Sequence, residues 1–360
     1  MNLSKKLSFL VCFVLPVIAI VGQIYGGFSH LIVPATVFIA LPILDFVFGK
    51  DRTNPNESDF LSLQNDSYYR YLTYVWAFFQ LGFVIWAVIQ VVLIERPIWE
   101  TLLFAFSVGL VTGGIGITVA HELGHKASKW EQFLSKMVYM TVAYMHFFIE
   151  HNRGHHVNVS TFDDPATSRL GENFYQFYPR TFVGSLHSAW KLEVSRLSKS
   201  GLKTLHYKNE MLRYALVMIL FCGFLFGISS YIKGSFAYEA VIFFFVQAFV
   251  AISLLELTNY IEHYGLRRKE VSPGKFEKVL PVHSWNQNYF VSNAFLFHLQ
   301  RHSDHHANAG RRYQALRHYD EAPQLPYGYE VMILIALIPP LWFKMMHPIL
   351  ENWETKKVSA

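Results

Sequence analysis

Thiol chemistry is nearly absent from this sequence: its two cysteines, Cys12 and Cys222, each fall inside an apolar run and form no Cys-x-x-Cys pair. That excludes a disulfide framework and a fused thiolate-bound iron or zinc module, so any electron carrier has to come from another chain. Charge is scarce too. Only 16% of the residues are charged, while 52% are hydrophobic and 17% aromatic, a balance on the membrane side of globular composition. No internal repeat or low-complexity tract is present. The net charge of +5 calls for no nucleic acid, because cytoplasmic loops facing anionic lipid account for it. A cleavable leader is not expected either. Lys5 and Lys6 precede an apolar stretch, but Gly26-Gly27-Phe28-Ser29-His30 runs straight into another apolar segment without a small-residue cleavage site.

Apolar stretches close to the roughly 20 residues that cross a bilayer lie near residues 7–27, 30–48, 71–94, 101–120, 212–232 and 238–260. The expected fold is therefore all-α, a polytopic membrane protein of six transmembrane helices, with residues 1–360 forming a single domain. Six crossings put both termini on one side, together with the loop from Gly49 to Arg70 and the regions 121–211 and 261–330. These carry most of the Lys and Arg, which makes that side cytoplasmic. The opposite loops, near residues 26–30, 95–100 and 233–239, are short. Two weaker apolar segments, Met137 to Ile149 and Glu330 to Phe343, are too short to span and are expected in or against the membrane interface.

What the sequence has in abundance is histidine. Nine of its 17 histidines stand in four clusters beside or just beyond apolar segments: His121 and His125; His151, His155 and His156; His263; and His302, His305 and His306. Neutral imidazoles this dense are the ligand set of a transition-metal centre. In His121-Glu-Leu-Gly-His125 the two rings lie four residues apart, on one face of a helix and able to point at one metal. The second cluster repeats that spacing and adds His156, rotated about 100°, so one short helix can serve two metals. His302, His305 and His306 combine spacings of three and four, which predicts three rings converging on one side. His263 follows the sixth span on its own.

The remaining histidines read differently. His30, His187, His206, His318 and His347 are isolated and read as surface or interfacial residues, while His146, His283 and His298 are closer to the clusters. His298 precedes His302 by four and would share its face on a continuing helix, so His298 and His283 are expected to support ligands rather than to ligate. Glu122, Glu150, Asp164, Glu262 and Asp304 flank the clusters and can orient ligand imidazoles through their other ring nitrogen; the alternative for each is helix capping or an ion pair. Glu256, inside an apolar span, is a costly ionisable group and a functional candidate without an assigned role.

At five places the sequence resembles the membrane-bound non-haem diiron alkane hydroxylases of the integral-membrane desaturase and hydroxylase superfamily. These are His121-Glu-Leu-Gly-His-Lys126, Phe147-Phe-Ile-Glu-His-Asn-Arg-Gly-His-His156, Asp164-Pro-Ala-Thr-Ser-Arg169, Asn259-Tyr-Ile-Glu-His-Tyr-Gly-Leu266 and Phe297-His-Leu-Gln-Arg-His-Ser-Asp-His-His-Ala307. The likeness extends to Leu41-Pro-Ile-Leu-Asp45, Phe48-Gly-Lys-Asp51, Arg312-Tyr-Gln-Ala-Leu-Arg317 and Pro326 to Tyr329, covering nearly the whole chain; before about Leu41 only hydropathy matches. The resemblance implies a bacterial inner-membrane enzyme, an alkane 1-monooxygenase. Its cytoplasmic site would hold two iron ions on the nine clustered histidines and no organic cofactor. Its electrons would come from rubredoxin, itself reduced by an NAD(P)H-dependent reductase.

On that reading dioxygen is the co-substrate, the diiron centre itself does the chemistry with no separate catalytic side chain, and an n-alkane is hydroxylated at its terminal methyl. A saturated hydrocarbon has no polar handle, so an apolar channel must select the chain end; its residues cannot be picked out among so many aromatics. Lys126, Lys129, Arg311, Arg312 and Arg317 are candidates for the rubredoxin dock. The alternatives are a xylene-type aromatic methyl hydroxylase or a fatty-acyl desaturase, although desaturases commonly carry His-x-x-His-His where this chain has His-x-x-x-His-His. A membrane zinc protease built on His121-Glu122-x-x-His125 is a further reading, and it leaves most of the clustered histidines without work.

Overall fold

The computed structural model describes residues 3–359. Among the described residues six helices are long and apolar enough to cross a membrane: Lys5–Tyr25, Gly27–Phe48, Glu57–Leu93, Ile98–Gly124, Glu210–Lys233 and Tyr238–His263, the first to sixth spans. The first two are joined by a tight reversal. Gly26 sits there at φ +73°, a conformation that favours glycine, and Arg96 donates to the Gln23 carbonyl at 2.8 Å while pairing with Glu100. The third span begins well before the apolar stretch at residue 71. A short polar turn of helix, Glu57–Asn65, leads into Ser67–Leu93, where the Asp66 side chain caps the Tyr68 N–H at 3.0 Å.

The fourth span is the centre of the bundle: 78% of its most apolar stretch is buried, against 17% for the second and fifth. Small residues let the sixth span approach it. A Cβ on Gly113 would lie 2.7 Å from the Ala251 Cα, and one on Gly109 would lie 2.7 Å from the Gln247 carbonyl oxygen. Hydrogen bonds then tie the spans together where lipid offers no other partner: Thr112 to Gln247 at 2.9 Å, Gln247 to the Thr141 carbonyl at 2.9 Å, and Gln80 to the Thr141 hydroxyl at 2.9 Å. Replacing Gly113 with leucine is expected to force the two spans apart. Most of the variant should elute as aggregate on size exclusion in detergent, whereas Gly223→Leu, whose Cβ meets nothing, should behave as wild type.

Two spans run on past their apolar stretches to carry site residues, the fourth to His121 and the sixth to His263. The weaker apolar segments are not continuous helices. The first contains the end of the amphipathic helix Lys129–Met140, a reversal with Ala143 at φ +53°, and the short helix Phe147–Glu150; the second is split into Tyr329–Ala336 and Pro339–Ser359. The long helix Phe174–Lys199, opened by an Asn173/Gln176 capping box, packs beside the site. A small antiparallel hairpin, Glu270–Ser272 with Lys275–Phe276, turns at Gly274.

Candidate metal centre

The nine clustered histidines converge. Their ring nitrogens form two groups, within each of which all lie within 4.8 Å of one another: His121, His125, His151, His156 and His305, and then His155, His263, His302 and His306. Both groups consist of imidazole nitrogen alone. Neighbouring Nε2 atoms in the first stand 3.1 Å apart for His125/His151, His151/His156 and His156/His305. In the second they stand 3.3 Å apart for His155/His306 and His263/His302, and 2.9 Å apart for His302/His306. At a metal–nitrogen length of about 2.1 Å, ligands at a right angle are about 3.0 Å apart and those at the tetrahedral angle about 3.4 Å. These separations therefore fit two metal sites.

The donor chemistry fits as well. His121 Nε2 is buried without a hydrogen-bond partner, as an atom reserved for a metal would be. Burial first, and neighbouring imidazoles second, hold His151, His305 and His306 well below the ordinary histidine value. Burial acts first on His125, His156 and His302 too, with the same downward result. Neutral rings keep the lone pairs that a metal takes.

Local backbone geometry decides which ring joins which group. His151–His155 is a wide turn with i to i+5 hydrogen bonding, so residues five apart, not four, come into line. His151 thus meets His156, while His155 between them turns to the second group. One short segment serves both, as its sequence suggests, but with a different pairing. On the helix His302–Ala307 the three rings do not share a side as the spacing predicts. His302 and His306 face the second group, and His305, about 60° away from His302 at 100° per residue, faces the first.

Of the flanking groups, Asp164 takes the expected position. Its Oδ2 lies 2.9 Å from His155 Nδ1 and accepts from Thr167 Oγ1 at 2.5 Å, and its Oδ1 accepts the Ala166 N–H at 3.0 Å. Burial alone would raise this carboxyl, but the adjacent His155 and these hydrogen bonds hold it below the ordinary range. Glu262 is arranged differently. Its Oε2 approaches His302 at Nε2, the cluster-facing nitrogen, at 3.1 Å, and its Oε1 accepts from the Tyr329 hydroxyl at 2.7 Å.

Glu122 and Asp304 brace the backbone instead of a ring. Glu122 pairs with Lys126 at 3.0 Å and accepts the Tyr313 N–H at 3.4 Å. Asp304 holds Arg311 at 2.5 Å, Asn308 at 2.9 Å and the Arg317 N–H at 2.8 Å. Glu150 is fully buried beside Gly154, and burial, then Asp164, push its carboxyl well up. Glu256 accepts from Tyr144 at 2.8 Å, Thr181 at 3.0 Å and Asn259 at 3.1 Å, a buried link between the sixth span and the helix Phe174–Lys199.

His298 departs from its expectation because the helix does not continue back to it. Phe297 and His298 both have positive φ, and the His298 ring packs edge-on against Phe9 while its Nδ1 bonds the Tyr313 carbonyl at 3.0 Å. His283 supports the hairpin loop, meeting Glu277 at 3.2 Å and the Leu280 N–H at 3.0 Å. His146 joins neither group.

The fatty acid desaturase family model matches residues 97–336. Over 331 residues the chain is 44% identical to alkane 1-monooxygenase 2 of Pseudomonas aeruginosa, spanning 91% of this chain and 85% of that one. It is also 44% identical over 315 residues to an alkane 1-monooxygenase of Acinetobacter baylyi, at 87% and 75% coverage. The chain belongs to the alkane hydroxylases of the fatty acid desaturase family. A xylene/toluene monooxygenase hydroxylase component of Pseudomonas putida is 27% identical over 349 residues, covering 96% of this chain and 89% of that one.

In this alkane hydroxylase the histidine groups stand at one end of an apolar cavity. The second, fourth and sixth spans wall it with Val37, Phe38, Leu110, Ile117, Leu254 and Leu255, and His121, His151 and His302 reach its lining. The sequence conceals these residues, since an apolar side chain on a span faces lipid as readily as a cavity. Tyr329, which bonds Glu262, was equally hidden; its only signal is its place at the end of the Pro326 to Tyr329 match. Of the basic residues named for docking, Lys126 is buried and donates to the Arg311 carbonyl at 2.8 Å. Arg311, Arg312 and Arg317 pair with Asp304, Glu131 and Glu57, and Lys129 is exposed.

Proposed function

We propose that this protein hydroxylates the terminal methyl group of n-alkanes to 1-alkanols, with dioxygen and two electrons delivered by rubredoxin. The cavity ending on His121, His151 and His302 carries this reading, because an apolar wall leading to metal-ligating nitrogens fits a substrate that offers only shape. One iron in each histidine group, five nitrogens in the first and four in the second, would supply the dioxygen chemistry that no side chain can provide. The protein's part is to orient, to keep water out and to hold protons. The Thr118 and Thr258 hydroxyls donate to carbonyls of their own helices at 2.6 and 3.0 Å, so their protons are turned into the helices and not toward the alkane. Asp164 fixes the proton of His155 on Nδ1 and leaves Nε2 free, and Tyr329 holds its hydroxyl proton toward Glu262. In this reading the site, both termini and the rubredoxin dock face the cytoplasm, which the basic loops support, with Lys129 and the paired arginines at the rim of the dock.

Product analysis by gas chromatography tests the reading. Membranes holding the iron-loaded protein, rubredoxin, its reductase, NADH and dioxygen are given octane, hexadecane and m-xylene in parallel. The expected product is 1-octanol; methylbenzyl alcohol alone would move the substrate class to aromatic methyl groups. The protease reading finds no support in Glu122, whose carboxylate is committed to Lys126 and Tyr313.

Cavity shape makes a second prediction. A Cβ on Gly114 would meet only Leu254 Cδ2 at 3.7 Å, so phenylalanine there projects into the cavity. Gly114 lies seven residues before His121, roughly 10 Å along the helix, or about eight carbons at about 1.25 Å each from a C–C bond near 1.5 Å. Gly114→Phe is therefore expected to cut hexadecane turnover at least tenfold while octane turnover falls less than threefold. Equal losses on both chains would place the substrate elsewhere.

A further inference from the structure

We infer that Glu330 and Asp45 form a hydroxyl-binding site in the wall of the cavity, one that takes the –OH of a primary alcohol; this rests on the proposed reading, whose product is such an alcohol. Glu330 is the lone charged residue of the apolar helix Tyr329–Ala336. It is 5% exposed and lines the cavity, and its Oε2 has no hydrogen-bond partner. Asp45, near the end of the second span, is 2% exposed. Its Oδ1 accepts the N–H groups of Val291 and Ser292 at 3.1 and 3.0 Å, and its Oδ2 is likewise buried without a partner.

The two free oxygens flank Gly328. Gly328, at φ −62°, has a backbone any residue can adopt, yet a Cβ there would stand 2.8 Å from Glu330 Oε2 and 3.5 Å from Asp45 Oδ2. Space, not backbone freedom, is what glycine provides. Burial, and then the Asp45 carboxylate, push the Glu330 carboxyl up to about 8, so near neutrality it holds a proton to donate beside a carboxylate that accepts. Buried polar oxygens left unpaired are costly. A hydroxyl both donates and accepts and so satisfies the two together, which an alkane cannot do.

Position suits a product. Tyr329 reaches Glu262 at the histidine end, and Glu330, the next residue and about 100° round the helix, faces the second span. An alcohol formed at the histidines exchanges its place there for a polar partner in the same cavity. The chain end is thereby drawn off the reacting position, which frees it for the next substrate.

Calorimetric titration of 1-octanol into the iron-loaded protein in phosphatidylcholine nanodiscs, with empty nanodiscs subtracted, tests the site. Glu330→Leu, of similar volume, is expected to weaken 1-octanol at least tenfold, and Glu330→Gln, which still donates and accepts, to stay within threefold. In Glu330→Leu the KM for octane should shift at least threefold less than the Kd for 1-octanol. An unchanged 1-octanol Kd in Glu330→Leu, or an octane KM that rises in step with it, overturns the inference. Glu330-dependent binding of 1-octanol by a protein that turns over no octane would leave the hydroxyl site standing and remove the alkane reading.

Discussion

Replacing His156 with alanine is expected to abolish 1-octanol formation, by at least about a hundredfold, in a protein that still inserts and elutes as folded. Its Nε2 stands 3.1 Å from those of both His151 and His305, so its loss opens the middle of the first group. Removing even a partner of a ligand commonly costs ten- to a hundredfold in affinity or activity, and losing the ligand costs more. Metal analysis should find iron lost from one site. His187→Ala, a histidine outside both groups, is the control and should keep its iron and activity. Undiminished product from His156→Ala would remove the first group from the chemistry.

The second large effect is expected at Asp164, which touches no other cluster ring by hydrogen bond but holds His155 from behind. With Asp164→Ala the His155 ring loses its 2.9 Å partner and Thr167 loses its acceptor, so the proton on Nδ1 and the aim of Nε2 are no longer fixed. Iron affinity or product formation should fall ten- to a hundredfold. Asp164→Asn can still accept from Nδ1–H and should fall less. Glu122→Gln offers the contrast, because Glu122 pairs with Lys126 and a backbone N–H rather than with a ring; a loss as large as that of Asp164→Ala would show that bracing the 311–313 loop matters as much as holding a ligand.

The difference between these two acids shows what the sequence could not say. Both flank a histidine cluster, and only tertiary placement puts one behind a ring and the other against a lysine. The spans were legible because a run of apolar residues is what lipid demands, except for the start of the third, where Glu57–Asn65 is too polar to register as membrane helix. The histidine clusters were legible as clusters because their spacing is local. Their division was not, because it depends on the wide turn at His151–His155, and its single glycine, Gly154, does not tell such a turn from an ordinary helix. The expected helix through His298 failed for a related reason: Phe297 and His298 take positive φ, a conformation non-glycine residues rarely signal in advance. The cavity was hidden most completely, since a lining leucine and a lipid-facing one are the same letter.

Metal content bears on the central claim more directly than any activity. Protein purified from cells grown with iron and zinc available would be analysed for metals per chain, with His156→Ala and His306→Ala beside it, one from each nitrogen group. The account predicts two irons in the wild type and about one in each variant. A single zinc in the wild type, or one iron lost from neither variant, would contradict it.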